Sequence, residues 1–303
     1  MRVRTLDMLT TLLAEPKNVA QACESGIVAA LTGLLTDDYS EVRSKALLNL
    51  GMLASSEIGN SHVVEQGSIS SIAPLFTDDD VAVKANSFLT VVDLTSFGDG
   101  SQAVVDDNCV PLLVEHSSSN VPEVQCLAMD ALYNCYKIEV ALLQALEVGA
   151  VAVMTGLLDH ENATVAEKAA RNLFCLVTPD AGKTEGIDCG AVPLLAKLLL
   201  SDDPLVRESA GGTLMLLCIA VKGKNQAYDC SLHQTCIGLL RDPNHVVVLN
   251  VTKLICTLAE HKHARQELKD ALPTLQDWSD AQDVNPAIVA SAKTAIAKIN
   301  WEP

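Results

Sequence analysis

Several stretches of the sequence hold residue types that could do chemistry. Ala181-Gly182-Lys183-Thr184 imitates the end of a phosphate-binding loop. That loop needs a glycine five residues before Gly182, where Val177 stands, and a strand ahead of it, where a helical pattern runs. His261 and His263 offer imidazoles to a metal, but no cysteine stands at a familiar partner spacing, and a solvated turn is the simpler expectation. Asp78-Asp79-Asp80 has the charge for a divalent cation without the spaced ligands and glycine of a calcium loop, and reads as a helix cap. Asn162-Ala163-Thr164 and Asn250-Val251-Thr252 match a glycosylation acceptor, which has no consequence inside a cell. The ten cysteines form no C-x-x-C pair. Several sit in apolar runs such as Leu216-Leu217-Cys218-Ile219, as small buried hydrophobes in a reducing compartment do. No nucleophile elbow or Cys–His signature is visible. The sequence therefore assigns no catalytic residue, no metal site, no cofactor and no small-molecule substrate, and we expect no enzyme.

The elements that carry these residues repeat. Gly26, Gly67, Asn108, Gly149, Gly190 and Ser231 stand 41 residues apart. Sixteen residues after each comes Val42, Val83, Val124, Val165, Val206 and Val247. Further offsets of four, four and three reach, in the first repeat, Ala46, Leu50 and Leu53, and in the fifth Ala210, Leu214 and Leu217. That spacing is one face of an α-helix, and its small member lets neighbouring helices approach closely. A shorter apolar helix precedes each long one, as in Ala191-Val192-Pro193-Leu194-Leu195, with Pro193 and Pro111 near its start. Asp-rich turns such as Ser201-Asp202-Asp203-Pro204 join the two and can cap the next helix. Gly59, Gly100, Gly182 and Gly223 follow the long helices and read as helix stops, and a short third helix leads to the next repeat. The pattern predicts an all-α fold, an armadillo/HEAT-like right-handed superhelical solenoid.

As domain organisation we expect one array over residues 1–303, with a partial repeat at 1–25, six repeats of 41 residues over 26–271 and a C-terminal cap at 272–303. Leu9 and Leu12 align with Leu50 and Leu53, so the sequence opens inside a long helix. This should leave apolar surface exposed, unless a partner covers it or the natural start lies upstream. Residues from Leu272 onward look out of register: a loop holding Asp277, Asp280 and Asp283, then a helix from Val284 to Ile299 with Pro286 near its start.

Charge narrows the partners. The formal net charge is −17, which opposes nucleic acid and an anionic membrane surface. Residues 1–230 hold 14 Lys and Arg against 30 Asp and Glu, and residues 231–303 hold 7 against 8. The acid reads first as solubility and second as attraction for basic partners. No run reaches membrane-spanning length and no signal-type stretch follows Met1, so the expected setting is cytoplasmic or cytoskeletal.

The long helices line the inner face of an armadillo array. In the nuclear-import receptors of this fold a Trp, and an Asn four residues later, recur there to hold lysine stems and cargo backbone. Here the Asn column reads Asn49, Thr90, Ala131, Asn172, Thr213 and Leu254, and the Trp column Lys45, Asn86, Leu127, Lys168, Ser209 and Asn250. Without aromatic slots, classical basic import signals are not expected ligands. The candidate protein-binding residues of the groove are Lys45, Asn49, Asn86, Lys168, Asn172, Ser209 and Asn250. Lys45, Lys168, Asn86 and Asn250 suit a polar or locally acidic segment; the alternative is a merely solvated helix face.

Leu239-Leu240-Arg241-Asp242-Pro243, Leu249-Asn250-Val251-Thr252-Lys253, Leu258-Ala259-Glu260 and Ala271-Leu272-Pro273-Thr274-Leu275 occur in that order, before the closing Asn300-Trp301-Glu302-Pro303. With Glu167-Lys168-Ala169-Ala170-Arg171-Asn172-Leu173 and Ala210-Gly211-Gly212-Thr213-Leu214-Met215, this set resembles the armadillo proteins of the ciliary radial spoke head, the rhabdoid tumour deletion region family. The resemblance is specific from about residue 165 onward. It implies a non-enzymatic scaffold that binds other radial spoke components in the axoneme of motile cilia or flagella. It implies no particular contact residues, and the family normally has more chain at the front. The other function expected of such an array is a soluble cytosolic adaptor, a chaperone cofactor or a small-GTPase regulator.

Overall fold

The computed structural model describes residues 1–302. Its helices group into two compact halves, residues 1–148 and residues from 149 onward. The N-terminal half is built on four long helices, Arg2–Leu13, Ser40–Ala54, Val81–Thr95 and Pro122–Cys135. Each packs on the next. The C-terminal half repeats the plan with Ala163–Leu176, Pro204–Leu217, His245–Leu258 and Pro286–Ile299. Short helices such as Ile27–Gly33 and Glu57–Glu65 stand before and after each long one. The fold is that of an all-α armadillo solenoid.

The apolar columns explain the packing. In all six repeats the stripe from Val42 to Leu53 and its counterparts is buried, none of it more than 3% exposed. Truncating one such leucine costs about 2–5 kcal/mol, because the rigid neighbours cannot close the cavity. The column of small residues (Ala46, Ser87, Ala128, Ala169, Ala210) is fully buried as well.

The residue that opens each repeat is a left-handed turn. Gly26, Gly67, Asn108, Gly149, Gly190 and Ser231 have φ between 53° and 80°. Glycine and asparagine are the residues that adopt this conformation most cheaply, and Ser231 adopts it at some strain. The turn bends the chain between the third helix of one repeat and the first of the next, by 79° at Gly26.

Two expectations are corrected. Gly59, Gly100 and Gly223 are not helix stops; each is an early residue of a third helix (Glu57–Glu65, Gly98–Asp106, Val221–Asp229), and Gly182 lies inside Asp180–Asp188. A Cβ at Gly59, Gly100 or Gly223 would fall 2.0, 2.0 or 2.1 Å from the carbonyl oxygen of Leu53, Leu94 or Leu217. Glycine is there because the third helix crosses the last turn of the long helix with no room for a methyl group. Likewise, residues after 271 do not leave the register for a loop. Leu272–Asp280 is a helix that holds Asp277 and Asp280, with Pro273 in its first turn. In Pro286–Ile299, the buried Ile288, Ala292 and Ile299 repeat the offsets of Val247, Val251 and Leu258.

Candidate functional site

The turns before the long helices share one construction. The residue eleven places into each repeat accepts a hydrogen bond from the backbone N–H two residues on, in every case. The six bonds are Asp37 with Tyr39, Asp78 with Asp80, Ser119 with Val121, His160 with Asn162, Ser201 with Asp203 and Asp242 with Asn244, at 2.8–3.2 Å. Asp80, Asn162, Asp203 and Asn244 then cap the long helix through its first N–H groups.

Where the eleventh residue is aspartate, the preceding long helix supplies an arginine. Arg43 meets Asp78 through Nε and Nη2 at 2.8 and 2.9 Å, and a third nitrogen, Nη1, donates to the Asp37 carbonyl. Arg207 meets Asp242 at 2.8 Å and donates to the carbonyls of Ser201 and Asp202. Arg2 pairs with Asp37 at the equivalent place through Nη1 alone, from a more exposed side chain. Burial pulls the Asp78 carboxyl up, but the Arg43 fork and the Asp80 N–H outweigh it and hold it below the usual carboxylate range. These arginines brace one turn against the next. They were not singled out in the sequence, although their 41-residue spacing (Arg2, Arg43) and the aspartates 35 residues later were the available signal.

The chemical candidates dissolve into the same framework. Lys183 pairs with Asp180 within one helix at 2.9 Å, so the glycine–lysine–threonine run is helical and cradles nothing. His261 stands in the turn after the long helix, half-buried, where its Nδ1 accepts from the Ala264 N–H as a helix cap and its ring lies 4.5 Å from that of Tyr228, while His263 is exposed inside the helix Lys262–Glu267. Among the described residues no three His, Cys, Asp or Glu side chains come together as a metal site. Burial pushes the Cys135 and Cys218 thiols up to about 12, so neither is a ready nucleophile. No single helix among the described residues is long and apolar enough to cross a membrane.

The long helices hold the residues expected to face a partner, and most of their polar atoms tie helix to helix. Asn49 is fully buried; its Nδ2 donates to the Leu6 carbonyl at 3.3 Å and to the Lys45 carbonyl at 2.8 Å. In the same column, Thr90 donates to Leu47 and Thr213 to Ala170, at 3.0 and 2.9 Å. Asn172 is also fully buried and donates to the Lys168 carbonyl. In the neighbouring column, Asn86 donates to the Ser44 hydroxyl at 2.8 Å, Ser209 to Glu167 at 2.9 Å and Asn250 to the Glu208 carbonyl at 3.1 Å. Lys45 pairs with Asp7 at 2.5 Å. Lys45, Asn86, Lys168, Ser209 and Asn250 are half-buried. Each buried bond contributes about 0.5–1.5 kcal/mol net, and those that cross from one long helix to the next, from Asn49 to Leu6, Thr90 to Leu47 and Thr213 to Ala170, also fix the register between helices.

What remains for a partner is different in kind. In the N-terminal half the outward positions of Ser40–Ala54 and Val81–Thr95 include Leu48, Met52, Leu89 and Val92, with the carboxylate of Asp93 among them. In the C-terminal half they include Phe174, Met215 and Lys253. Phe174 is 38% exposed and its ring lies 3.5 Å from where a Cβ at Gly212 would stand. Sequence reading missed Asp93, Phe174 and Lys253 because it followed the two columns used by import receptors. The exposed positions beside those columns were the unused signal.

The comparisons with known proteins agree with this architecture. The family model for the armadillo/beta-catenin-like repeat matches residues 179–218. The crystal structure of an engineered protein superposes with a TM-score of 0.88 over 97% of this chain and 74% of the other, at 24% identity. A second engineered protein gives 0.70 over 82% and 97% of the two chains, at 25% identity. The designed armadillo repeat protein YIII(Dq)4CqI gives 0.70 over 77% and 100%, at 18% identity. No curated protein matches the chain. These likenesses show the fold, an armadillo-repeat solenoid.

Proposed function

We propose that this protein is a non-enzymatic scaffold whose long-helix faces hold segments of other proteins, and that it works in the radial spoke of motile cilia or flagella. One observation carries the scaffold reading. The polar residues of the long helices are largely consumed in helix-to-helix ties, while apolar side chains on the same helices stay at the surface. Each half is a packed stack of its own, the first keeping Leu89 and the second Phe174 more than a third exposed, so each has a fixed surface to offer with little ordering to do on binding. The axonemal setting rests on the residues from Glu167 to Trp301 that resemble the radial spoke head armadillo proteins. Cross-linking mass spectrometry on isolated axonemes tests both parts. The expected result is cross-links from this chain to radial spoke components. Uniform cytosolic immunofluorescence in a ciliated cell would remove the axonemal part and favour a soluble adaptor.

A further inference from the structure

We propose that the long-helix face formed by Ser40–Ala54 and Val81–Thr95 holds its partner by a single lysine or arginine, whose cationic head seats on Asp93 while its aliphatic stem lies on the neighbouring apolar side chains. The inference rests on the scaffold reading and names the chemistry of one partner segment.

Asp93 is set into the surface. It stands in the last turn of Val81–Thr95 and is half-buried. Its carboxylate lies directly over Gly51 of the preceding helix: a Cβ there would be 2.7 Å from Oδ2. Gly51 is itself buried, so the missing side chain makes the recess into which the carboxylate fits. Burial pushes the Asp93 carboxyl up to about 6, and the hydroxyl of Ser55 opposes that only in part.

A carboxylate drawn out of water needs a compensating charge, and elsewhere in this half it has one: Arg43 for Asp78 and Arg2 for Asp37. Among the described residues no cation pairs with Asp93. The lysine on the same face, Lys45, lies two turns back and is held by Asp7. A withdrawn acid without a partner destabilises the free protein and suits a site that gains its cation on binding.

The surroundings select the kind of cation. Leu48 and Met52 on one helix, with Leu89 and Val92 on the other, supply apolar surface at helical spacing. A lysine or arginine stem packs on such surface while its head reaches an acid. A bare metal ion would find one carboxylate and few further oxygens. The wider field agrees, because residues 1–148 carry 7 Lys and Arg against 20 Asp and Glu. The same field repels nucleic acid, so the occupant is a protein segment with a basic residue flanked by apolar ones. It differs from a classical import signal in needing one basic side chain and no aromatic slots.

The test is a displayed library of random heptapeptides selected in parallel on the intact protein and on Asp93→Asn, with the fold of both checked by circular dichroism. The expected result is enrichment of peptides with one Lys or Arg between apolar residues. Resynthesised with citrulline for arginine or norleucine for lysine, or tested on Asp93→Asn, they should bind at least about tenfold more weakly. The Asp93 carboxyl carbon, followed by NMR, should titrate at lower pH when such a peptide is bound. Peptides that bind both proteins equally would overturn the inference and leave the scaffold reading in place. No enrichment on either protein would overturn the inference and the binding role of this face together.

Discussion

The two halves share a skeleton and differ on the face they offer. Arg43 with Asp78 and Arg207 with Asp242 are the same brace in two places, each arginine also holding the carbonyls of the turn that leads into its own helix. Gly100 and Gly223 admit the same helix crossing. The outward residues do not repeat. The N-terminal half sets Asp93 among aliphatic side chains in a strongly acidic field, and the C-terminal half sets Phe174 and Lys253 in a nearly balanced one, with 14 Lys and Arg against 18 Asp and Glu. Buried positions repeat because each must fit the one before it. Outward positions face only the partner, so they are where one repeat can be made to differ from the next.

The largest effect should come from breaking the shared skeleton. Gly100→Ala and Gly223→Ala each place a methyl group on a backbone carbonyl that cannot step aside, and each should cost about 2–3 kcal/mol in urea unfolding. Ala141 and Ala264 occupy this column in two other repeats and are fully buried, so their third helices already stand back. Ala141→Gly should cost only about 1 kcal/mol. Equal losses at all three positions would mean that the crossing is not what fixes these glycines.

Next comes the brace. Arg43→Met and Arg207→Met leave the nearly buried Asp78 and Asp242 without a cation, and each should cost about 2 kcal/mol, with similar values in the two halves. A loss confined to one half would break the equivalence of the skeletons.

Asp93 separates the halves. Its folded pKa, about 6, lies above that of the unfolded chain, so the folded state binds more protons between these values. Its contribution therefore improves as pH falls from 7 towards 5, the reverse of a salt-bridged aspartate such as Asp78. Asp93→Asn should be more stable than the natural chain by about 1 kcal/mol at pH 7, allowing for the solvent that reaches the group. The gap should narrow as pH falls below 6 and close only near the unfolded value, about 4. Unfolding followed at several pH values, as the difference between the two proteins, isolates this group from His116, whose half-buried ring works in the opposite direction in the same half.

The smallest effect lies in the C-terminal half. Burial and then His263 hold the His261 pKa below its usual value, while its Nδ1 serves as a helix cap. Protonation removes that acceptor, so stability falls as pH drops below the unfolded value, about 6.5. His261→Asn keeps a cap and should flatten the acid side of the profile slightly. An unchanged profile would show that the cap carries no proton-linked stability.

Much of this skeleton is legible in the sequence, because the 41-residue columns encode both the buried stripe and the left-handed residue that opens each repeat. Helix starts at Asp80, Asn162 and Asp203 are legible because a cap acts within three residues of itself. What is not legible depends on distances across helices. Nothing local distinguishes Gly100 as a crossing point from Gly100 as a helix stop. Asn49 on a helix face looks like a ligand for a peptide until its amide is found on the Leu6 carbonyl. The helix Leu272–Asp280 was missed because its three-residue spacing of acids looked like a loop, although Pro273 marked a helix start. Asp93 is invisible in sequence because its meaning comes from Gly51, 42 residues earlier.

The claim that the long-helix faces are the binding surface is tested most directly by photo-cross-linking in ciliated cells. A benzophenone amino acid is placed at Leu89 or Phe174, and for comparison at Ile58 or Val221 on the third helices, which are exposed by 55% and 70%. Discrete cross-linked proteins are expected from the positions of Leu89 and Phe174 and none from those of Ile58 and Val221. Cross-links from the third-helix positions alone would contradict the claim.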